Sequence, residues 1–376
     1  MDTEIIRVEN RHQLVQFVKL SFSLYRDDPY WVPPIISDQL KFLDKKKGVF
    51  FEFGKAEYFM AQRNGEIVGR ISAHTSSQYD KYQDADTGFF GFFECIDDPT
   101  VANALLDHAS AWLASQGKKR MLGPISFTLY DECAMLCDGY DSLPVVLLSY
   151  NPPYYNDLMT KAGMSKAIDW YAFMVEADNL DIKPALYKIR DRILNSNGIR
   201  IETLSLKNMD DAIKKVGHIF NDAWMDNWGH VPLTQGQLEY MAGELKLVAV
   251  EPLCYFAYVG DECVGFSLTL KDANPALQKA RGKLFPLGIF RILKEMKNIK
   301  LLRTIAMGVM PEYRHKGLDI VFYLNTIEQG IKMGYRRSEC SIIVETNKRM
   351  IGALDDLNAR RYKTYRFYER KIENKA

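Results

Sequence analysis

Alternating apolar and polar positions predict the strands of the first half of the chain. Residues 56–75 form two alternating runs that meet at Asn64-Gly65, the dipeptide preferred by a tight type I′ hairpin turn. An aromatic strand is predicted at 88–96, and helical spacing follows over 99–116. With further strands near Arg120 and over 169–175, this half is predicted to be helices packed on a mainly antiparallel sheet.

The second half repeats this order of elements. Its predicted strands and helices are strand 199–204, helix 210–224, hairpin 253–270, strand 304–310, helix 317–333, strand 338–344, helix 348–358 and strand 362–371. Between the halves, 176–198 contains a helical stretch bounded by acidic and Asn/Gly residues. We therefore predict an α/β protein of two similar domains, 1–175 and 199–376, joined by a linker at 176–198.

Composition supports two packed cores. The chain has 376 residues, which is longer than a single core usually supports. Its residues are 47% hydrophobic and 12% aromatic, which is enough to fill two cores. Its six cysteines show no CxxC spacing, so neither a disulfide framework nor a structural metal is expected. The first ten residues resemble an opening strand and no apolar run reaches the length of a spanning helix, which favours a cytoplasmic location.

The two halves differ in charge. Residues 1–175 carry 17 Lys/Arg and 23 Asp/Glu, whereas residues 176–376 carry 32 and 25, so the halves are −6 and +7 within a net charge of +1. A basic half fits an anionic ligand such as a phosphorylated cofactor, although an ordinary solvated surface can produce the same asymmetry.

A basic loop with a glycine follows one predicted strand and opens a helix. Residues 309–319, VMPEYRHKGLD, resemble motif A of the GNAT acyltransferases, Arg/Gln-x-x-Gly-x-Gly/Ala. In that motif a tight turn presents backbone N–H groups at a helix N-terminus, where the unpaired donors and the helix dipole hold the pyrophosphate of coenzyme A. The third small position is Asp319 here, which places a carboxylate in the first helical turn.

The segments that follow also resemble this superfamily. A strand ending at Glu345-Thr346-Asn347, a helix, and a Tyr-rich strand at 365–369 occur in the family's order. The resemblance implies two tandem GNAT-like domains, of which the first is degenerate because Asp97-Asp98-Pro99-Thr100 replaces its motif A. The sequences GFFGFFE at 88–94 and NPPYY at 151–155 further resemble a bacterial two-domain branch, some of whose members are associated with ceramide-type lipid N-acylation.

The resemblance implies a site for a coenzyme A thioester, with acyl carrier protein as another acyl source. Three strand residues would present backbone groups to the pantetheine arm, a loop would hold the pyrophosphate, and an Asn would orient cofactor or substrate. These residues are Met307, Gly308 and Val309, then Arg314, His315, Lys316, Gly317, Leu318 and Asp319, and finally Asn347. Asn347 is equally a good N-cap for the helix after it.

Direct attack of an amine on the thioester needs a proton acceptor and a donor for the leaving thiolate. Glu345 could accept the amine proton, or could instead cap a helix or pair with an Arg. Many GNAT enzymes carry a Tyr acid seven residues after the Asn, where this chain has Leu354. The acid is therefore missing or supplied by Tyr365 or Tyr368, which could equally be packing residues of the last strand.

Polar and aromatic side chains within ten residues are candidates for binding the amine acceptor. They are Asn221, Trp224, Asn227, Trp228 and His230. The two Trp residues share a helical face and could simply be core, and His230 could act as a base. No nucleophile lies beside a base, so no covalent mechanism is expected.

A basic segment interrupts the GNAT pattern. Residues 276–303 contain eight Lys/Arg and one acid, with Leu287, Phe290, Leu293 and Met296 at helical spacing. This composition is typical of a basic interfacial helix, and an ordinary packed helix is the alternative. The interfacial interpretation predicts peripheral contact with the inner membrane face through 284–300 and a lipid-like acyl chain or acceptor.

The leading functional prediction is thus N-acyl transfer from acyl-CoA or acyl carrier protein to an amine, with no metal and no nucleic acid partner. An aminoacyl-tRNA-dependent ligase of the Fem type doubles the same fold but usually carries a long charged helical hairpin, which this sequence lacks. A third hypothesis is a non-catalytic ligand-binding protein, and the two departures from the family pattern, Asp319 and Leu354, favour it.

Overall fold

The computed structural model describes residues 3–195, 198–284 and 286–373. Contacts divide the chain into two compact units. Unit 1 comprises the residues up to Trp170, the segment Asn274–Lys297 and the residues from Lys363 onward, and unit 2 comprises Tyr171–Ala273 and Asn298–Tyr362. Each unit is a mixed, mainly antiparallel sheet flanked by helices, as predicted. The boundary at 176–198 stays a prediction.

The predicted strands and helices occur in the predicted order, and further helices lie at 11–24, 36–42, 77–82 and 235–245. The strands of the described residues are β1 Glu4–Arg7, β2 Gly54–Arg63, β3 Glu66–Ser76, β4 Thr87–Cys95, β5 Arg120–Gly123, β6 Met135–Asp138, β7 Ser165–Glu176, β8 Ile199–Thr203, β9 Tyr255–Val259, β10 Glu262–Lys271, β11 Leu301–Val309, β12 Arg337–Val344 and β13 Arg360–Lys371. The α-helices are α1 Arg11–Leu24, α2 Ile36–Phe42, α3 Ser77–Tyr82, α4 Pro99–Ser115, α5 Tyr154–Lys161, α6 Pro184–Leu194, α7 Met209–Ala223, α8 Gln235–Leu245, α9 Asn274–Ala280, α10 Gly288–Met296, α11 Leu318–Lys332 and α12 Lys348–Asp356.

The sheet of unit 1 has the strand order β1-β2-β3-β4-β5-β13-β7, and β6 pairs with β13. Strands β4 and β5 are parallel, whereas β13 is antiparallel to β5. The hairpin β2–β3 turns at Asn64 (φ 52°) and Gly65 (φ 84°), both left-handed as a type I′ turn requires. The hairpin predicted from the Asn-Gly dipeptide is therefore confirmed.

Both faces of this sheet are covered, because successive strand residues point to opposite sides. Phe59 belongs to a buried cluster with Leu105 of α4 and Tyr155 of α5. Its neighbour Met60 belongs to another cluster, with Phe17 of α1. The alternation of apolar residues along β2 thus fixes which helices lie on which face.

The sheet of unit 2 has the order β8-β9-β10-β11-β12, with the end of β7 beside β12. Two glycines allow helices to approach it closely. A Cβ on Gly308 of β11 would lie 3.4 Å from the Cβ of Ala223 in α7, and one on Gly265 of β10 would lie 3.3 Å from the Phe322 ring of α11. Helices α7 and α11 therefore cover opposite faces.

The basic segment between β10 and β11 packs in unit 1 as two helices, α9 and α10. The amide of Gln278 in α9 donates to the carbonyls of Pro29 and Trp31 at 2.9 and 3.1 Å. Asn274 donates to the carbonyl of Pro144 at 2.7 Å. No helix in the described part of the chain is long and apolar enough to span a bilayer.

Candidate active site

Two neighbouring parallel strands of unit 2 separate at their carboxyl ends. The register of β11 and β12 runs from Leu301↔Arg337 to Thr304↔Cys340, and no later pair joins them in the described residues. Strand β11 continues to Val309, and β12 continues to Val344. Just beyond the last pair, Ile305 is an extra residue in the register between β11 and β10, a β-bulge that re-aims the strand. This opening contains the predicted pantetheine-contacting residues Met307, Gly308 and Val309.

The loop after β11 delivers the backbone to the start of α11 through two left-handed residues. A short 3₁₀ turn at Pro311–Tyr313 precedes His315 (φ 62°) and Gly317 (φ 83°), the residue that caps α11. Gly317 provides no side-chain cap. The N–H of Ile320 donates to the carboxylate of Asp319 at 3.1 Å, which leaves the N–H groups of Leu318 and Asp319 facing the loop. This is the geometry in which a helix N-terminus binds an anion.

Gly317 is required for a second reason that the sequence did not reveal. A Cβ at this position would lie 2.7 Å from the Cδ1 atom of Ile193 in α6. Helix α6, which was predicted only as part of a linker, therefore packs against the loop. Because φ is positive, a side chain at this position would be strained, and a Cβ would also require the Ile193 side chain to move.

The charged side chains of the loop are held in place by unit 2. Arg314 donates to the carbonyl of Ala223, the last residue of α7, at 2.5 Å. Lys316 lies over the Tyr313 ring, 4.6 Å from its centroid. Both side chains keep positive charge near the start of α11.

The carboxylate of Asp319 does not stand alone in the first turn of α11. Arg349 of α12 donates to it at 2.9 Å, and another nitrogen of that guanidinium lies 3.3 Å from Nδ1 of His315. Arg349 therefore offsets the carboxylate that departs from the family motif. Arg349 was not among the predicted site residues, although its position two residues after Asn347 was a usable signal.

One predicted acceptor residue, Trp224, lies beside the opening of β11, and a second, His230, lies near Trp224. The indole N–H of Trp224 points to the carbonyl oxygen of Met307 at 3.4 Å. The ring of His230 lies 5.6 Å from Phe220 and 6.4 Å from Trp224, measured between centroids. His230 is buried, and burial lowers its pKa to about 4, so its imidazole is neutral near pH 7.

The other predicted acceptor residues have structural contacts. The side-chain amide of Asn221 accepts from the backbone N–H of Leu233 at 2.8 Å and donates to its carbonyl at 3.2 Å. Asn221 also lines a cleft of about 320 Å³ between α7 and α8. Asn227 and Trp228 lie in the turn after α7, where the N–H of Asn227 donates to the carbonyl of Trp224 at 2.8 Å.

At the end of β12 the two predicted side chains differ. The side chain of Asn347 accepts from the backbone N–H of Met350 at 3.1 Å, so it caps α12. Glu345 is half-buried at the carboxyl end of β12, and its role as a base stays a prediction. Leu354 is buried with Phe173 and Val175, so this position provides packing and no proton.

Tyr365 and Tyr368 belong to unit 1, whereas Glu345 belongs to unit 2. Both are buried, and the hydroxyl of Tyr368 donates to the side-chain oxygen of Asn156 at 2.8 Å. Burial raises the pKa of Tyr368, which keeps its hydroxyl protonated. Their role as acids stays a prediction.

The helix of unit 1 that matches α11 begins differently. Asp98 caps α4, and its carboxylate accepts from the N–H of Thr100 at 2.8 Å. The other oxygen of that carboxylate lies 2.8 Å from Arg63. A carboxylate thus occupies this helix N-terminus, where an anionic ligand would have to bind.

Two sequence motifs of unit 1 meet in a buried polar network. Glu94, from GFFGFFE, accepts from the hydroxyls of Tyr25 and Tyr155 at 2.7 Å each, and Tyr155 comes from NPPYY. Arg70 lies 3.4 Å from the same carboxylate. Burial raises the pKa of Glu94, while Arg70 and the two hydroxyls act against that change.

No family model matches this chain. It is 32% identical to Protein YghO of Escherichia coli over 370 residues, spanning 96% of this chain and 94% of that protein. It is 31% identical to the bacterial ceramide synthase of Caulobacter vibrioides over 382 residues, spanning 99% of this chain and 98% of that protein.

Solved structures show the same fold at low sequence identity. A tandem GNAT protein from the clavulanic acid biosynthesis pathway superposes with a TM-score of 0.57 and 13% identity over the whole of both chains. A GCN5-related N-acetyltransferase from Sphaerobacter thermophilus gives a TM-score of 0.52 with 10% identity, over 99% of this chain and 96% of that one. The predicted tandem GNAT fold is confirmed.

Proposed function

Since this chain is an acyltransferase of the GNAT superfamily, in one family with YghO and the bacterial ceramide synthase, we propose that it acylates the amine of a long-chain lipid, with acyl-CoA as donor. Acyl carrier protein is the other acyl source under this proposal. A ceramide is an N-acylated long-chain amino alcohol, so the named activity of that relative fits an amine acceptor with an apolar tail.

The separation of β11 from β12 is the observation that carries the donor assignment. Pairing ends at Thr304↔Cys340, and the loop that follows leads to a helix start with no side-chain cap. An extended pantetheine arm can hydrogen-bond to a free strand edge, and the pyrophosphate can bind the N–H groups of α11. We assign the donor to unit 2 alone, because Asp98 occupies the corresponding helix start in unit 1.

The proposed reaction is direct attack. The neutral amine nitrogen attacks the thioester carbonyl carbon, a C–N bond forms, and the C–S bond breaks to release the coenzyme A thiolate. Glu345 accepts the proton that the amine loses, directly or through a water molecule. Trp224, which lies beside Met307, and His230, which lies near Trp224, line the acceptor side. Peripheral membrane contact through 284–300 belongs to the same proposal.

The first experiment tests donor and acceptor separately. Calorimetric titration with coenzyme A tests the donor site. Mass spectrometry of mixtures containing an acyl-CoA and either a long-chain amino alcohol or a short polar amine tests the acceptor. We expect binding of coenzyme A and an amide product from the long-chain amine. An amide formed only from the short amine would contradict the lipid assignment but leave acyl transfer intact.

The second experiment tests the proposed base. Glu345→Gln should lower kcat at neutral pH by roughly 10²- to 10⁴-fold, the usual contribution of a general base, and leave the affinity for coenzyme A unchanged. Glu239→Gln, an exposed carboxylate on α8, is the matched control. If both variants keep the parental rate, Glu345 is not the base.

A further inference from the structure

Helix α10 exposes three large apolar side chains in succession. Leu287, immediately before the helix, is 57% exposed, Phe290 is 67% exposed and Leu293 is 58% exposed. At about 100° per residue they span an arc of about 120° on one side of the helix. The opposite side is in contact with the protein, since Gly288 is buried and a Cβ there would lie 3.7 Å from the Cβ of Ala280 in α9.

The same exposed side of α10 carries only positive charge. Arg291, Lys294 and Lys297 are exposed and fall within or next to the apolar arc. Glu295 is the one acid in the sequence of α10; it is half-buried and lies toward the packed side. An apolar stripe bordered by cations without a carboxylate matches a surface that is apolar inside and anionic outside.

Helix α9, against which α10 packs, is anchored in unit 1. Side chains of α9 donate hydrogen bonds to the carbonyls of Pro29, Trp31 and Pro144. In the turn after α9, the carbonyl of Gly282 accepts a hydrogen bond from the N–H of Ile36 at 3.1 Å. The chain therefore keeps three large hydrophobic side chains in solvent on an anchored scaffold, where burial inside the same unit would be expected of a purely structural helix.

We infer that the exposed face of α10 docks on an anionic lipid bilayer. In this orientation Leu287, Phe290 and Leu293 enter the boundary between headgroups and acyl chains, while Arg291, Lys294 and Lys297 contact the anionic headgroups. Lys300 is not part of this face, because it belongs to unit 2. The inference rests on the membrane contact in the proposed function and specifies its surface as anionic lipid and its face as α10. Docking needs no turnover, so it can succeed or fail independently of acyl transfer.

Cosedimentation of the full chain with vesicles tests the inference. The parent should bind phosphatidylglycerol-containing vesicles and bind pure phosphatidylcholine vesicles much more weakly, and salt should release it. Changing Arg291, Lys294 and Lys297 together to Glu should weaken binding by roughly 100-fold or more, because each cation contributes about fivefold. Changing Leu287, Phe290 and Leu293 together to Ser should weaken it at least tenfold.

The control changes the same charge elsewhere in unit 1. Lys41, Lys46 and Lys47 are also exposed, and changing them together to Glu should leave most of the vesicle binding. Equal losses from both charge variants, or a parent that does not bind anionic vesicles, would overturn the inference. A parental dimer in sedimentation velocity that becomes monomeric in the Ser variant, without vesicle binding, would assign the face to a second copy. Calorimetry with coenzyme A on each variant reports the donor site separately.

Discussion

The ion pair between Asp319 and Arg349 offers the sharpest test of where the donor binds. Their side chains are 29% and 56% exposed, so breaking the pair should change the free energy of unfolding by no more than about 1 kcal/mol. The pair lies at the start of α11, however, where a pyrophosphate would bind. Removing one partner therefore changes the charge at that point far more than it changes stability.

The magnitude follows from Coulomb's law. Two unit charges about 7 Å apart interact by roughly 1 kcal/mol at an effective dielectric constant of about 40, so two phosphate charges give about 2 kcal/mol. Arg349→Gln should then weaken coenzyme A binding by roughly 5- to 30-fold, the smaller value allowing for solvent screening. Asp319→Asn should strengthen binding by a similar factor, and the double variant should return close to the parent.

Calorimetric titration with coenzyme A at low and at high salt measures all four proteins. Both single effects should shrink at high salt, since the groups are partly exposed. The two single variants should change the affinity for coenzyme A in opposite directions. If both weaken binding, the pair acts as a structural tie between α11 and α12; if neither changes it, the donor does not bind at this loop.

Three further predictions concern other described contacts. Gly317→Ala should lower the stability of unit 2. In an Ile193→Ala background, which removes the Cδ1 atom, Gly317→Ala should still cost about 1 kcal/mol because of its positive φ. No loss relative to Ile193→Ala alone in denaturant unfolding would contradict the backbone contribution. Asp98→Ala should lower the free energy of unfolding by about 1 kcal/mol, because the cap of α4 is lost, and should leave the affinity for coenzyme A unchanged. Weaker coenzyme A binding in calorimetry would count against the assignment of the donor to unit 2. Burial lowers the pKa of folded His230 to about 4, so its contribution to the free energy of unfolding is present above pH 6.5 and is lost as pH falls toward 4, by up to about 3 kcal/mol. Urea unfolding of His230→Phe should not show this loss. If the parent and the variant lose stability in parallel as pH falls, His230 is not responsible.

The sequence predicted strands and helices well where periodicity and turn residues agreed. Asn64-Gly65 located the β2–β3 hairpin, and Gly317 and Gly334 bounded α11. Helix α1 was not predicted, although Asn10 and Gln13 form a capping box at its start. Contacts between distant segments were beyond reach, because no local pattern shows that α6 packs on Gly317 or that α9 and α10 belong to unit 1.

Only those parts of the candidate site that are local in sequence could be predicted. The motif placed Arg314 to Asp319 at a helix start because that geometry is local in sequence. Arg349 and Trp224 reach the same region from other elements, and only the fold shows that they meet Asp319 and Met307. Asn347 illustrates the reverse case, since its side chain is used in the cap of α12, the alternative that its position already suggested.

The position of β13 has a consequence for the timing of folding during synthesis. Residues Tyr368–Lys371 pair with Met121, Leu122 and the rest of β5, and Thr364–Arg366 pair with β6, so unit 1 obtains an interior strand from the end of the chain. A ribosome releases the partners of that strand more than 200 residues earlier. Until β13 has emerged from the ribosome, β5 presents an open strand edge, which is prone to pair with other chains. The unit that begins to fold first is thus completed last, and a nascent or truncated chain ending near residue 175 should need protection from aggregation.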